Sequence, residues 1–211
     1  MLKKKALRKI FATTLTAFVL LVVYSIPSLY QDDALKTNLE VEYITGIGTN
    51  NIYLLDKNDY LVKTKILLDS TSKEEQVKKL IKNLTINDNS KFPNGLEATI
   101  PENTKLLEVY YDEHYLTLNF NNKLIKDEKK IEKIIESIVY SVMDLGQIDG
   151  VIIEVNGETI DGYNKVLDRN IGINKSYDIK SRKDINKVVI YYLEQLDGVN
   201  YYVPVTKYLN D

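Results

Sequence analysis

The chain has 211 residues, 30 Asp and Glu against 28 Lys and Arg, one histidine and no cysteine. That length holds one good-sized domain with appendages, enough to bury a core without staples. The missing cysteine excludes disulfides, thiol nucleophiles, iron–sulfur clusters and a lipid-accepting N-terminal cysteine, and the lone His114 excludes a multi-histidine metal centre.

Five of the basic residues, Lys3, Lys4, Lys5, Arg8 and Lys9, precede a stretch from Ile10 to Gln31 that carries no charge. Its apolar centre is Ala17 to Tyr24. About 20 predominantly apolar residues span a bilayer and a cationic flank stays cytoplasmic. Residues 1–31 are therefore expected to be a cytoplasmic basic tip and transmembrane signal-anchor, leaving the remainder extracytoplasmic on a single-pass cell-membrane protein. A cleaved secretory signal needs a small-x-small site, for which Ser25-Ile26-Pro27-Ser28 is a poor substitute. Beyond the tip the chain has an acid excess of about seven. Lysine runs such as Lys129-Lys130-Ile131-Glu132-Lys133 alternate with acids on a helix face, so no basic stripe suited to nucleic acid is present.

Residues 32–49 read as a polar stalk. Gly46-Ile47-Gly48 lacks the third glycine and following helix of a phosphate loop. A domain over residues 50–175 opens with a hairpin, Ile52 to Leu55 and Tyr60 to Leu68, turned at Asp56 to Asp59. Asp56, Asn58 and Tyr60 have the alternate spacing of a calcium loop. However, Leu61 stands where the loop needs glycine and Leu67 where it needs a bidentate acid, so the segment reads as a plain turn. Ser72 and Glu75 form a capping box ahead of a helix of about three turns with Val77, Leu80, Ile81 and Leu84 on one face. Pro93-Asn94-Gly95 then leads to a second hairpin, Lys105 to Tyr111 and Tyr115 to Asn119, turned at Asp112 to His114.

Asp127 is the expected cap of a second helix, whose Ile131, Ile134, Ile135, Ile138, Val139, Val142 and Met143 form one broad stripe ending before Gly146. Gly150 to Val155 is a strand, and Asn156-Gly157 a tight hairpin turn into Glu158-Thr159-Ile160. The order ββα-ββα-ββ, with helices as crossovers, predicts a two-layer α/β domain: one mixed sheet carrying two helices. The final hairpin, Lys187 to Leu193 and Tyr201 to Leu209, echoes the first one. It reads as the opening of a second, incomplete copy of the domain over residues 186–211. An isolated hairpin is marginal in water. This one needs a floor from a missing remainder, the first domain or another subunit.

Gly95-Leu96-Glu97-Ala98-Thr99-Ile100-Pro101-Glu102-Asn103-Thr104-Lys105-Leu106-Leu107, the helix ending before Gly146 to Val151, the Val155 to Glu158 turn and Leu167-Asp168-Arg169 together resemble the GerMN domain of sporulation and spore germination proteins over roughly residues 50–173. The resemblance implies a small α/β module, related in shape to ring-building motifs of secretion-type assemblies. It implies display outside the membrane for protein or envelope contacts, and no catalytic residues. The family's namesake is a lipoprotein with two such modules, and this chain lacks the lipid-accepting cysteine.

No catalytic, cofactor-binding or metal-binding residues are expected, and no cofactor. The carboxylate pairs Glu108 and Asp112, or Glu154 and Glu158, offer acid and base for a cell-wall hydrolase, but acids on hairpins are ordinarily solvated edge residues. Tyr110, Tyr111, Tyr201 and Tyr202 offer faces for a cell-wall glycan-binding module, the alternative to an interaction and assembly protein. The expected partners are other envelope or membrane-complex proteins, the membrane itself, or further copies of this chain.

Overall fold

The computed structural model describes residues 4, 9, 11, 13–22, 47–69, 72–87, 92, 95–180, 184–196 and 198–210. The chain divides into two compact units, Met1–Thr45 and Gly46–Asp211. In the first, the described residues are helical, with Thr13 and Thr14 hydroxyls donating to the carbonyls of Lys9 and Phe11 at 3.1 and 3.0 Å. Phe11, Leu15, Phe18, Leu20 and Leu21 are exposed. Among the described residues no helix is long and apolar enough to cross a membrane. Most of the expected anchor's C-terminal part and the stalk, residues 23–46, lie outside the described residues.

The second unit contains β1 (Ile47–Leu55), β2 (Leu61–Asp69), α1 (Lys73–Leu84), β3 (Leu106–Asp112), β4 (Tyr115–Phe120), α2 (Ile131–Met143), β5 (Gly150–Val155) and β6 (Glu158–Thr159). A 3₁₀ turn (Arg169–Ile171), β7 (Ser176–Asp178), β8 (Ile185–Leu196) and β9 (Val199–Asn210) follow. The fold is mixed α/β, with two sheets in place of the single expected one. β3-β4-β5-β6 form one; β1-β2-β9-β7, with β8 on β9, form the other. The second crossover is as expected, since α2 returns the chain to pair β5 parallel with β4. The first is not. α1 carries the chain from β2 in one sheet to β3 in the other, because β2's free side is taken by β9, antiparallel at Lys63 and Tyr202.

Local chemistry explains most elements. The Ser72 hydroxyl accepts from the Glu75 amide at 3.4 Å, and Val77, Leu80, Ile81 and Leu84 are all buried. Lys73 at the start of α1 reaches back to donate to the carbonyls of Leu145 and Gly146 at 2.7 and 3.0 Å, satisfying acceptors past the end of α2. Asp127 does not cap α2. Its carboxylate accepts from Lys129 in a separate turn, and the helix begins at Ile131 without a side-chain cap. Asn156 and Gly157, at φ 52° and 83°, make the primed turn between β5 and β6. β1 starts at Ile47, inside the expected stalk.

The stripe on α2 is core: Ile134, Ile135, Ile138, Val139 and Val142 are buried with Leu116, Leu118 and Phe120 of β4 and Val151 and Ile153 of β5. The other side of α2 is buried as well, through Glu136, Ser137, Tyr140 and Ser141. α2 touches both β1 and β5, so it lies where the two sheets meet. The final hairpin has its floor here, since Leu196, Tyr201, Val203 and Val205 join the same core.

Candidate functional site

The two sides of the β1/β8 sheet are finished in opposite ways. Along β1 the outward-facing peptide groups of Tyr53 and Leu55 are taken, as is the Asn51 carbonyl. The Tyr53 amide donates to the Ser141 hydroxyl at 3.0 Å, and the Tyr53 carbonyl accepts from the Ser137 hydroxyl at 2.6 Å. Leu55 exchanges two backbone bonds with Glu97 at 2.9 and 2.8 Å, and the Asn50 side chain covers the Asn51 carbonyl. Two serines one helical turn apart on α2 thus stand in for a neighbouring strand.

β8 receives no such cover. All 12 of its residues pair with β9 on one side, and no strand pairs with its other side among the described residues. Its side chains are apolar yet open: Ile185, Val188, Val189, Tyr191, Tyr192 and Leu193 are exposed, Tyr191 and Leu193 by 61% and 62%. A long, unpaired edge strand with an uncharged centre is a template for another strand. Proteins commonly blunt such edges with charge or bulges, and the central residues Val188 to Leu193 offer neither.

A groove of about 560 Å³ runs beside β8, with Val203 and Val205 on its floor. Tyr60 and Tyr192 flank it, Lys175 and Lys207 line it, and Asn58 and Glu194 belong to it as well. Lys207 lies over the Tyr192 ring at 5.9 Å and Lys133 over Tyr60 at 5.8 Å, so each tyrosine holds a cation.

A buried polar hub fixes this hairpin on the domain. Asn174, at φ 46°, accepts through its side-chain oxygen from the Leu61 amide and the Lys133 ammonium, both at 2.8 Å. Its side-chain nitrogen donates to the carbonyls of Leu61 and Pro204 at 2.8 and 2.7 Å, so β2 and β9 are joined through one amide. The Asn174 backbone N–H donates to Glu136 at 3.0 Å. Burial pushes the Glu136 carboxyl above its ordinary range, against the opposing pull of that N–H and of Lys133 and Lys175. Thr206 accepts from the Ile173 amide at 2.9 Å, closing the hub on the β9 side. At the end of α2, Asp144 meets Arg169, Lys63 at 3.6 Å and the Tyr53 hydroxyl at 3.4 Å. Burial raises the phenol of Tyr53, with Asp144 adding to the effect, and pushes Tyr140 up to about 12.

The residues weighed from sequence do not converge. Glu108 and Asp112 are exposed on β3; Glu154 and Glu158 lie on the two arms of the β5–β6 hairpin, Glu158 exposed. Tyr110 and Tyr202 are exposed, whereas Tyr111 is half-buried and Tyr201 buried, and the two pairs sit on different sheets. His114 is exposed at the tip of the β3–β4 hairpin, its carbonyl accepting from Asp149 at 2.8 Å. Among the described residues no three His, Asp or Glu side chains cluster as a metal centre. Sequence reasoning missed Ser137, Ser141, Asn174 and Thr206. The two serines were findable, as an i, i+4 polar pair inside an apolar helix.

The geometry defines a small mixed α/β module whose larger sheet has one edge covered at Tyr53 and Leu55 and one open edge at β8. A sequence model of the Germane family, described as sporulation and spore germination, matches residues 51–161, and the chain belongs to that family. It is 27% identical over 172 residues to the spore germination protein GerM of Bacillus subtilis (strain 168), covering 76% of this chain and 46% of GerM. The solved tandem GerMN domains of the sporulation protein GerM from B. subtilis match with a TM-score of 0.70 at 25% identity, covering 78% of this chain and 62% of that one. The chain therefore spans about half the length of GerM.

Proposed function

We propose that this chain is a membrane-anchored, extracytoplasmic interaction module that acts without catalysis in envelope assembly during sporulation or germination, taking a partner's strand on the open edge of β8. The carrying observation is that edge: 12 residues long, apolar from Val188 to Leu193, and unpaired among the described residues, in a sheet whose opposite edge is covered at Tyr53 and Leu55. Strand addition draws affinity from main-chain hydrogen bonds and specificity from alternate side chains, which suits Tyr191 and Leu193 on one face and Tyr192 on the other. The family's sporulation and germination description supports the setting. The cationic N-terminal tip and the exposed apolar side chains among the helical residues 11 and 13–22 support the anchor. The final hairpin as the start of a second module is consistent with its echo of β1–β2.

A photo-crosslinking residue at Leu193, compared with one at Tyr110 on the other sheet, tests the reading in intact cells. Crosslinks to an envelope protein from position 193 alone, lost when Val189→Lys charges the edge, are expected. Equal crosslinking from both positions, or recovery of the chain in the soluble fraction after alkaline extraction, refutes it.

A further inference from the structure

The Asp56 to Tyr60 turn resembles a calcium loop without its closing acid, and the fold brings an acid to it from 138 residues away, as far as Glu194 lies along the chain from Asp56. Asp56 is 4% exposed, and its Oδ1 accepts from the amides of Asn58 and Tyr60, both at 2.8 Å, which fixes the carboxylate. Its Oδ2 is buried and receives no donor. Asn58 then spans the gap, donating from its side-chain amide to Glu194 Oε1 at a long 3.4 Å. Neither acid forms an ion pair among the described residues.

We propose that Asp56 Oδ2, the Glu194 carboxylate and the Asn58 side-chain oxygen form a weak site for a hard divalent cation of the calcium type, clasping β8 to the β1–β2 turn. The donors are all oxygens, as hard cations require, and the half-exposed, irregular set suits calcium, which tolerates flexible geometry with water completing the shell, better than magnesium. A buried carboxylate oxygen without a donor is costly in an empty site and is relieved by a cation. The two carboxyls already feel one another: the neighbouring Asp56 carboxyl chiefly raises the Glu194 acid, burial adds to it, and Lys57 opposes. Lys57 acts on the Glu194 carboxyl, and Lys175 and Lys207 line the same groove as Asn58 and Glu194. Because Glu194 is part of β8, occupancy would set the position of the open edge relative to the domain.

Thermal unfolding of the full chain in chelator-treated buffer at neutral pH tests this, with calcium chloride, magnesium chloride, and sodium chloride at matched ionic strength. Calcium is expected to saturate at roughly 10⁻⁴ to 10⁻³ M, in the range of extracellular modules. It should raise Tm by about 3–6 °C at tenfold excess over half-saturation, and magnesium by less. Glu194→Gln keeps the shape and removes a charge, so it should fold at least as well as the unloaded wild type and lose the calcium response; Asp56→Asn, which retains an Oδ1 acceptor, should lose it as well. A response equal to that of sodium, a response that survives Glu194→Gln, or a Tm that answers only to acidification, the mark of a shared proton, each overturns the proposal.

Discussion

Asn174→Ala removes a single amide on which three elements hang. Its loss strands three buried peptide groups, the Leu61 amide, the Leu61 carbonyl and the Pro204 carbonyl, all within 2.8 Å of the missing side chain. Each unsatisfied buried group costs about 1–3 kcal/mol, and partial relaxation argues for the low end, about 3 kcal/mol together. The backbone at φ 46° suits Asn, and alanine there adds about 1 kcal/mol. A total near 4 kcal/mol is a large share of a typical domain's stability. Urea unfolding followed by circular dichroism should show a lower midpoint at an unchanged slope. Asn174→Gly should recover only the backbone part, about 1 kcal/mol. Native-state hydrogen exchange should show β9 amides around Pro204 losing protection before those of β4. A loss under about 1 kcal/mol, or equal loosening of β4 and β9, would refute the view that this amide holds the hairpin to the domain.

At Gly150 an added Cβ would lie 2.3 Å from Val166 Cγ1 and 3.2 Å from the Tyr115 ring. Gly150→Ala should therefore cost about 1–3 kcal/mol in a chemical melt, with Val166→Ala restoring most of it; failure of the second change to rescue the first would place the strain elsewhere. Tyr140, pushed up to about 12 by burial with Arg169 opposing, contributes stability that is full below the unfolded value of about 10 and is lost as pH rises from there towards 12. Tyr140→Phe should thus raise the alkaline unfolding midpoint while costing about 1 kcal/mol at neutral pH for the lost bond to the Arg169 carbonyl. A midpoint that does not move, read by tyrosinate absorbance, counts against it.

The elements that were legible in the sequence are those written in local chemistry. The Ser72 to Glu75 start, the α2 stripe and the Asn156-Gly157 turn need only neighbours within one or two turns of chain. The partition into two sheets was not legible, because α1 leaves β2 in the same way whether the next strand returns to it or not. What decides it is the arrival of β9 at Lys63, a contact 139 residues apart in sequence. Asn174 looked like an ordinary loop residue for the same reason. Its partners are supplied by β2, α2 and β9. The tyrosine pairs were misleading as ligand faces on strand parity alone, since neighbours on a strand point to opposite sides and one of each pair turns inward. The apolar final hairpin was correctly seen to require a floor, but its outer edge became visible only once β9's other side was known to be occupied.

The two α2 serines that bond Tyr53 bear on how many molecules an assembly can contain. A sheet with both margins free can lengthen at either end, and each added chain presents a fresh margin for the next; growth has no natural stop. Here Ser137 and Ser141 occupy the Tyr53 peptide groups in the middle of one margin of the sheet. On the proposed strand addition through β8, the far margin has no free peptide group at Tyr53 to offer a further chain. On that proposal the serines limit stoichiometry from a distance, and a Ser137→Ala, Ser141→Ala variant is the one in which a finite complex is expected to become open-ended.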